Sequence, residues 1–218
     1  MYTPSLEARV YFFACNFLWD ALSLFHYLDE EVAQENIGLL YLEKWSAPFA
    51  NLINWALEGR FYPFEQEQLS RDEKDLLLTQ ADTFGESLAI HFGNAISRAA
   101  MERYRQHGTL SESMWLYHCY CQFTQQILTE FGDILRQYSS SFRYYEYYNE
   151  HMTLFQEMAA AMERERPFLD KPGNVDEATI QAVWAEIEAT AARLGTEWRQ
   201  AVLEAAHHQR LPDFISRE

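Results

Sequence analysis

Ile180, Trp184, Ile187, Ala191, Leu194, Trp198, Ala201 and Ala205 recur in an unbroken alternation of four- and three-residue steps. Only an α-helix, in which successive side chains turn by about 100°, brings residues so spaced onto one side. A stripe with this heptad period packs at a shallow angle along another long helix. At least one further helix of similar length is therefore required, in the same chain or in a second one. Trp184 and Trp198 lie about four turns apart on the stripe, and packing within the chain is the expectation.

The rest of the sequence supplies candidates. Thr3 and Pro4 read as an N-cap and first-turn proline of a helix reaching about Leu28. Asp29 then caps a second helix in "LDEEVAQENIGLLYLEKW", with acidic residues in its first turn. A boundary at Ser46–Pro48 precedes a helix that ends near Gly59, and residues 60–69 form a connection. Ser70–Glu73 has the spacing of a capping box, in which serine and glutamate each bond the other's backbone N–H. The helix it opens extends to Gly108, with Leu77, Ala81, Phe84, Leu88, His91, Ala95 and Ala99 on one face. Ser111 starts another, with a face of Leu116, Tyr120, Phe123, Ile127, Phe131, Ile134 and Tyr138. A further helix spans residues 142–166 and is stopped by Pro167, and residues 167–175 are a linker before the long C-terminal helix. With 8 Gly and 6 Pro in 218 residues, turn signals are sparse, and no stretch alternates with period two. The sequence predicts an all-α, elongated bundle of five to seven helices, some about 30 residues long, without sheet, as a single domain over 1–218.

Charge narrows the partners. The formal net charge is −16, with three lysines and fourteen arginines among the cations. Phosphate backbones and anionic membrane surfaces call for a basic face, so neither nucleic acid nor membrane is expected. Carboxylates are spread along the chain rather than gathered in a run, which disfavours mimicry of DNA. The apolar segment Val10–Leu28 is interrupted by Asn16, Asp20, Ser23 and His26, and a buried core helix fits it better than a membrane span. The first ten residues lack the basic region of a signal peptide, and three cysteines, an odd number, suit a reducing compartment. A cytoplasmic location is the expectation.

Reactive residues are few. "WLYHCYCQF", residues 115–123, sets His118 beside Cys119 and Cys121. On a helix the two cysteines point roughly 200° apart. Cys119 falls with Gln122, Gln126, Glu130 and Asp133 on the expected wet side, and Cys121 falls at the edge of the apolar face. They do not share a metal. A di-iron bundle needs paired Glu-x-x-His motifs, and only Glu204 and His207 have that spacing, where a solvated pair is expected. No glycine-rich phosphate loop, zinc-protease motif or nucleophile elbow occurs. No cofactor and no metal is expected. His91 falls within an apolar stripe, as a buried hydrogen-bonded imidazole or, alternatively, as a ligand or proton-transfer group. Beside it Gly85, Ala89, Gly93 and Ser97 form a row of small residues that suits close helix packing.

"FRYYEYYNEHMTLFQEM", residues 142–158, has the most unusual composition. On a helix its polar residues form one narrow stripe, with Tyr144, Tyr147, His151 and Leu154 on one flank. Tyrosine and methionine are enriched in interface cores, which makes Tyr144, Tyr147 and His151 the candidate partner-binding residues. Glu150–Met158 is similar to the Asp-His-containing helix of maturation chaperones for molybdenum redox enzymes, which are acidic, all-helical cytosolic proteins. The likeness covers nine residues, lacks the proline that usually precedes the pair and has glutamate for the aspartate, so it assigns no family. The functional expectation is a non-enzymatic helical protein that binds another protein or peptide: an adaptor, dedicated chaperone, inhibitor or immunity-type partner, or a homo-oligomer. The alternative is a helical-bundle enzyme with a site of dispersed residues such as His91, His151 and Tyr147.

Overall fold

The computed structural model describes residues 5–33, 50–60, 69–107, 112–138 and 176–208, together with 149, 153, 156 and 157. The described residues form five helices and no strand. These are α1 (Leu6–Ala33), α2 (residues 50–60), α3 (Arg71–His107), α4 (Glu112–Tyr138) and α5 (Glu177–His208). Residues 149, 153, 156 and 157 are also helical. The all-α, elongated bundle expected from periodicity is what the chain forms.

Three of the long helices begin on side-chain caps. Ser5 Oγ accepts the N–H of Ala8 at 3.2 Å, so the described cap of α1 is Ser5 rather than Thr3, which lies outside the described residues. Ser70 and Glu73 form the capping box: Glu73 Oε2 accepts the Ser70 N–H at 2.9 Å, and the Glu73 N–H reaches Ser70 Oγ at 3.4 Å. Asp176 Oδ1 accepts the Thr179 N–H at 2.8 Å, and this bond holds its carboxyl below the usual range. The expected boundary at Leu28–Asp29 is absent, and α1 continues to Ala33. The segment after Leu28 carries no proline or glycine to stop a helix, so Asp29 is an interior residue and not a cap.

Named contacts fix the helix directions. Phe13 of α1 meets Phe84 of α3 at 5.1 Å and Phe17 meets Phe92 at 6.0 Å, so α1 and α3 run parallel. Tyr11 and Phe25 of α1 meet Phe131 and Tyr117 of α4, so those two are antiparallel. His118 and Glu130 of α4 meet Trp184 and Arg199 of α5, which makes that pair parallel. The order is up-up-down-down, which requires long crossovers between the members of each parallel pair. Residues 34–70, with α2 among them, make the first, and 139–176 make the second.

In cross-section the four long helices form a rhombus. α1 and α4 touch across the short diagonal, while α3 and α5 are the most weakly joined pair. This explains why α1 is so apolar. Every residue from Val10 to Leu18 is buried, a run of more than two turns with no wet side. α2 lies against two of the long helices: Trp55 stands edge-on to Phe131 of α4 at 5.5 Å, and the Arg60 guanidinium lies 4.8 Å from the Trp19 ring centre of α1.

The heptad stripe of α5 is buried within this bundle. Trp184, Ile187, Ala191, Leu194, Trp198, Ala201 and Ala205 are all enclosed, and only Ile180, in the first turn, is half-buried. Trp198 is completely covered, with its ring 5.6 Å from Phe17. Trp198→Ala should therefore cost roughly 3–5 kcal/mol. Denaturant titrations at two widely separated protein concentrations should give the same loss; a loss that vanishes on dilution would mean that the stripe packs between chains.

Candidate functional site

Two places bring polar chemistry into the interior. The first is the junction of α1, α2 and α3. Asn16 is fully buried, and its Nδ2 donates to the Ala81 carbonyl oxygen at 2.5 Å. That carbonyl is one helical turn before Gly85, and the missing side chain of Gly85 opens the approach. A Cβ there would lie 2.5 Å from Asn16 Nδ2 and closer still to Asp20 Oδ2. Asn16 and Asp20, one turn apart on α1, thus converge on a single point of α3. Asn16 Oδ1 and Asp20 Oδ2 are both buried without a hydrogen-bond donor.

Around Asp20 stand Arg60 of α2 and Asp82 and Glu86 of α3. Arg60 Nη1 pairs with Asp82 Oδ1 at 3.3 Å. Burial pushes the Asp20 carboxyl up to about 7; Arg60 opposes this rise, and Asp82 and Glu86 add to it. In the sequence alone Asn16 and Asp20 are only interruptions of an apolar segment. The signal was there: two polar residues one turn apart on an enclosed helix, opposite a small-residue row.

The second place is the seam of α4 and α5. His118 is 3% exposed, its ring 6.1 Å from Trp184, whose indole N–H donates to Glu188. Burial pulls the imidazole down to about 4, so it is neutral near pH 7. Arg103 of α3 pairs with Glu186 of α5 beside this seam. Cys119, expected on the wet side, is 7% exposed, and Gln122 is buried with it. The expectation fails because α5 and α3 cover the face of α4 that α1 leaves free. Burial pushes the Cys119 thiol up to about 12, with Arg103 acting against the shift. Cys121 is the half-buried one of the pair.

His91 is half-buried rather than enclosed, its ring 5.3 Å from Phe92. Beyond Leu88 the buried line of α3 moves in four-residue steps through Phe92, Ile96 and Ala100, leaving His91 at the edge. The row of small residues packs closely: a Cβ on Gly93 would lie 2.8 Å from the Tyr120 hydroxyl and 3.0 Å from Leu24. Glu204 and His207 are exposed, as expected of a solvated pair. Tyr144, Tyr147 and His151 lie outside the described residues. Among the described residues, no group of three or more His, Cys, Asp or Glu side chains could hold a metal ion, and no helix is long and apolar enough to cross a membrane.

No protein-family model matches the chain, and neither a curated protein nor a solved structure is significantly similar to it.

Two measurements check this geometry. In the native protein Cys121 should react with a thiol reagent before Cys119, because the thiolate is the nucleophile and Cys119 is both covered and held protonated; peptide mapping after brief labelling reads the order. His118 titrates near 6.5 when unfolded and about 4 when folded. The native state resists protonation, so this group's contribution to stability is lost as pH falls from about 6.5 towards 4. Denaturant titrations across that window should show a loss that His118→Gln removes.

Proposed function

We propose that this chain works by binding another protein or peptide, without covalent chemistry of its own. The observation that carries this reading is the state of its buried thiols and of the His118 imidazole. Burial pushes the Cys15 and Cys119 thiols up and the His118 imidazole down, and each is enclosed by packing. Activated nucleophiles and bases show the opposite: a thiol pulled down by a neighbouring cation, or a histidine near neutrality and within reach of substrate.

The surface adds support. Tyr27 is 64% exposed, and Leu24 and Ile90 are exposed beside the α1–α3 contact at Gly93. The aromatic flank of Tyr144, Tyr147 and His151 remains the favoured partner surface, since tyrosine offers a rigid apolar ring with a polar tip.

The test compares variants in capture and in folding. Tyr144→Ala with Tyr147→Ala should reduce stoichiometric partner capture by the tagged protein at least tenfold, an effect of about 1.4 kcal/mol. Its helical circular dichroism should stay near that of the wild type. A double variant that unfolds, or one that retains every partner, would remove this surface from the account.

A further inference from the structure

We propose that Asn16, Asp20, Arg60, Asp82, Glu86 and Gly85 form a proton-operated latch, in which one proton on Asp20 holds α1 against α3 and its loss loosens the junction where α2 docks. Two acceptors at this junction are orphaned. Asn16 Oδ1 and Asp20 Oδ2 are both buried without a donor, and a buried polar atom left unmade is costly. Their side chains meet at the one point of α3 where a missing Cβ makes room. A carboxylate only accepts, whereas a protonated carboxyl also donates. A proton on Asp20 removes the charge from a carboxyl whose Oδ2 has no donor at the α1–α3 contact, and its release leaves a buried, unpartnered carboxylate oxygen against Gly85.

The surrounding charges decide what the release does. Asp20 on α1 is faced by Arg60 from α2 and by Asp82 and Glu86 from α3. Protonated, it leaves the Arg60–Asp82 pair undisturbed. Ionised, it draws Arg60 away from Asp82, while Asp82 and Glu86 repel the new charge. Arg60 is the last described residue of α2 and also lies against Trp19, so any change in its pairing is transmitted to the α2 contact.

The direction of the effect follows. The Asp20 carboxyl is raised to about 7 in the folded chain, against 3.8 as the ordinary value. The native state binds the extra proton between those values, so stability from this group falls as pH rises through that window and is gone above about 7. His118 acts with the opposite sign over much of the same range. Each contribution is therefore read as a difference between the wild type and its own variant.

The experiment is amide hydrogen exchange of residues 50–60 at pH 6 and pH 8, corrected for intrinsic exchange, in the wild type and in Asp20→Asn. One proton released with a midpoint near 7 gives a rise in opening of roughly tenfold between the two pH values in the wild type. Asp20→Asn, whose amide keeps a donor at every pH, should show no such rise. Parallel pH dependence in the two proteins overturns the proposal. Should Asp20→Asn fail to fold, the carboxyl carbon resonance of Asp20 in the wild type reads the same proton directly. A midpoint near 7 that moves upward in Arg60→Gln supports the latch. A midpoint near 4, or one unmoved by the loss of Arg60, overturns it.

Discussion

One cluster of rings ties the four long helices together. Phe17 of α1 stands 5.6 Å from Trp198 of α5 and 6.0 Å from Phe92 of α3, and Phe92 lies 5.4 Å from Phe123 of α4. All four side chains are buried. Rings of this size carry the largest apolar areas in a chain, and tilted or edge-to-face contacts add to their burial. Its three contacts join α1 to α5, α1 to α3 and α3 to α4, so it spans three sides of the rhombus. The interior position of α1 follows, and with it the absence of a wet side from Val10 to Leu18.

A close-packed centre leaves its neighbours little room, and glycines mark where room is made. Gly85, Gly93 and Gly195 each face a side chain of another helix: Asn16 and Asp20, Tyr120 and Leu24, and Gln126. The first of these admits polar groups rather than an apolar one. An asparagine there bonds the backbone of α3, and an aspartate is carried into the interface with it. The same packing that closes the bundle therefore creates its one carboxyl near neutrality among the described residues. Burial holds the Cys15 and Cys119 thiols protonated and His118 neutral near pH 7, and it raises the Asp20 carboxyl to about 7.

Much of this was legible in the residues. The stripe of α5, the capping box at Ser70 and the lengths of α3 and α4 follow from helical period and cap chemistry alone, which act within one element. The covered side of α4 has a physical reason that its own sequence does not carry. A helical wheel ranks the sides of a helix by their own polarity, and it does not know how many partners the helix will have. α4 has a strongly apolar face, yet three long helices pack on it, so the side bearing His118, Cys119 and Gln122 is covered as well. An alternation of three and four places His91 inside the stripe of α3, whereas the buried line advances by four-residue steps and leaves it at the edge. Asp29 suits a cap by residue type, yet nothing between Leu28 and Ala33 breaks the helix. The junction at Asp20 needed knowledge that α1 and α3 run parallel in register, which no single segment encodes.

The central claim is that α1 and α5 meet inside one chain through Phe17 and Trp198, and a double-mutant cycle tests it most directly. Unfolding free energies are measured for the wild type, Phe17→Leu, Trp198→Leu and the double variant, in dilute protein. Contact between the rings predicts a coupling of about 0.5–1.5 kcal/mol, the double variant losing less than the two single losses together. Strict additivity, at any concentration, would contradict the account.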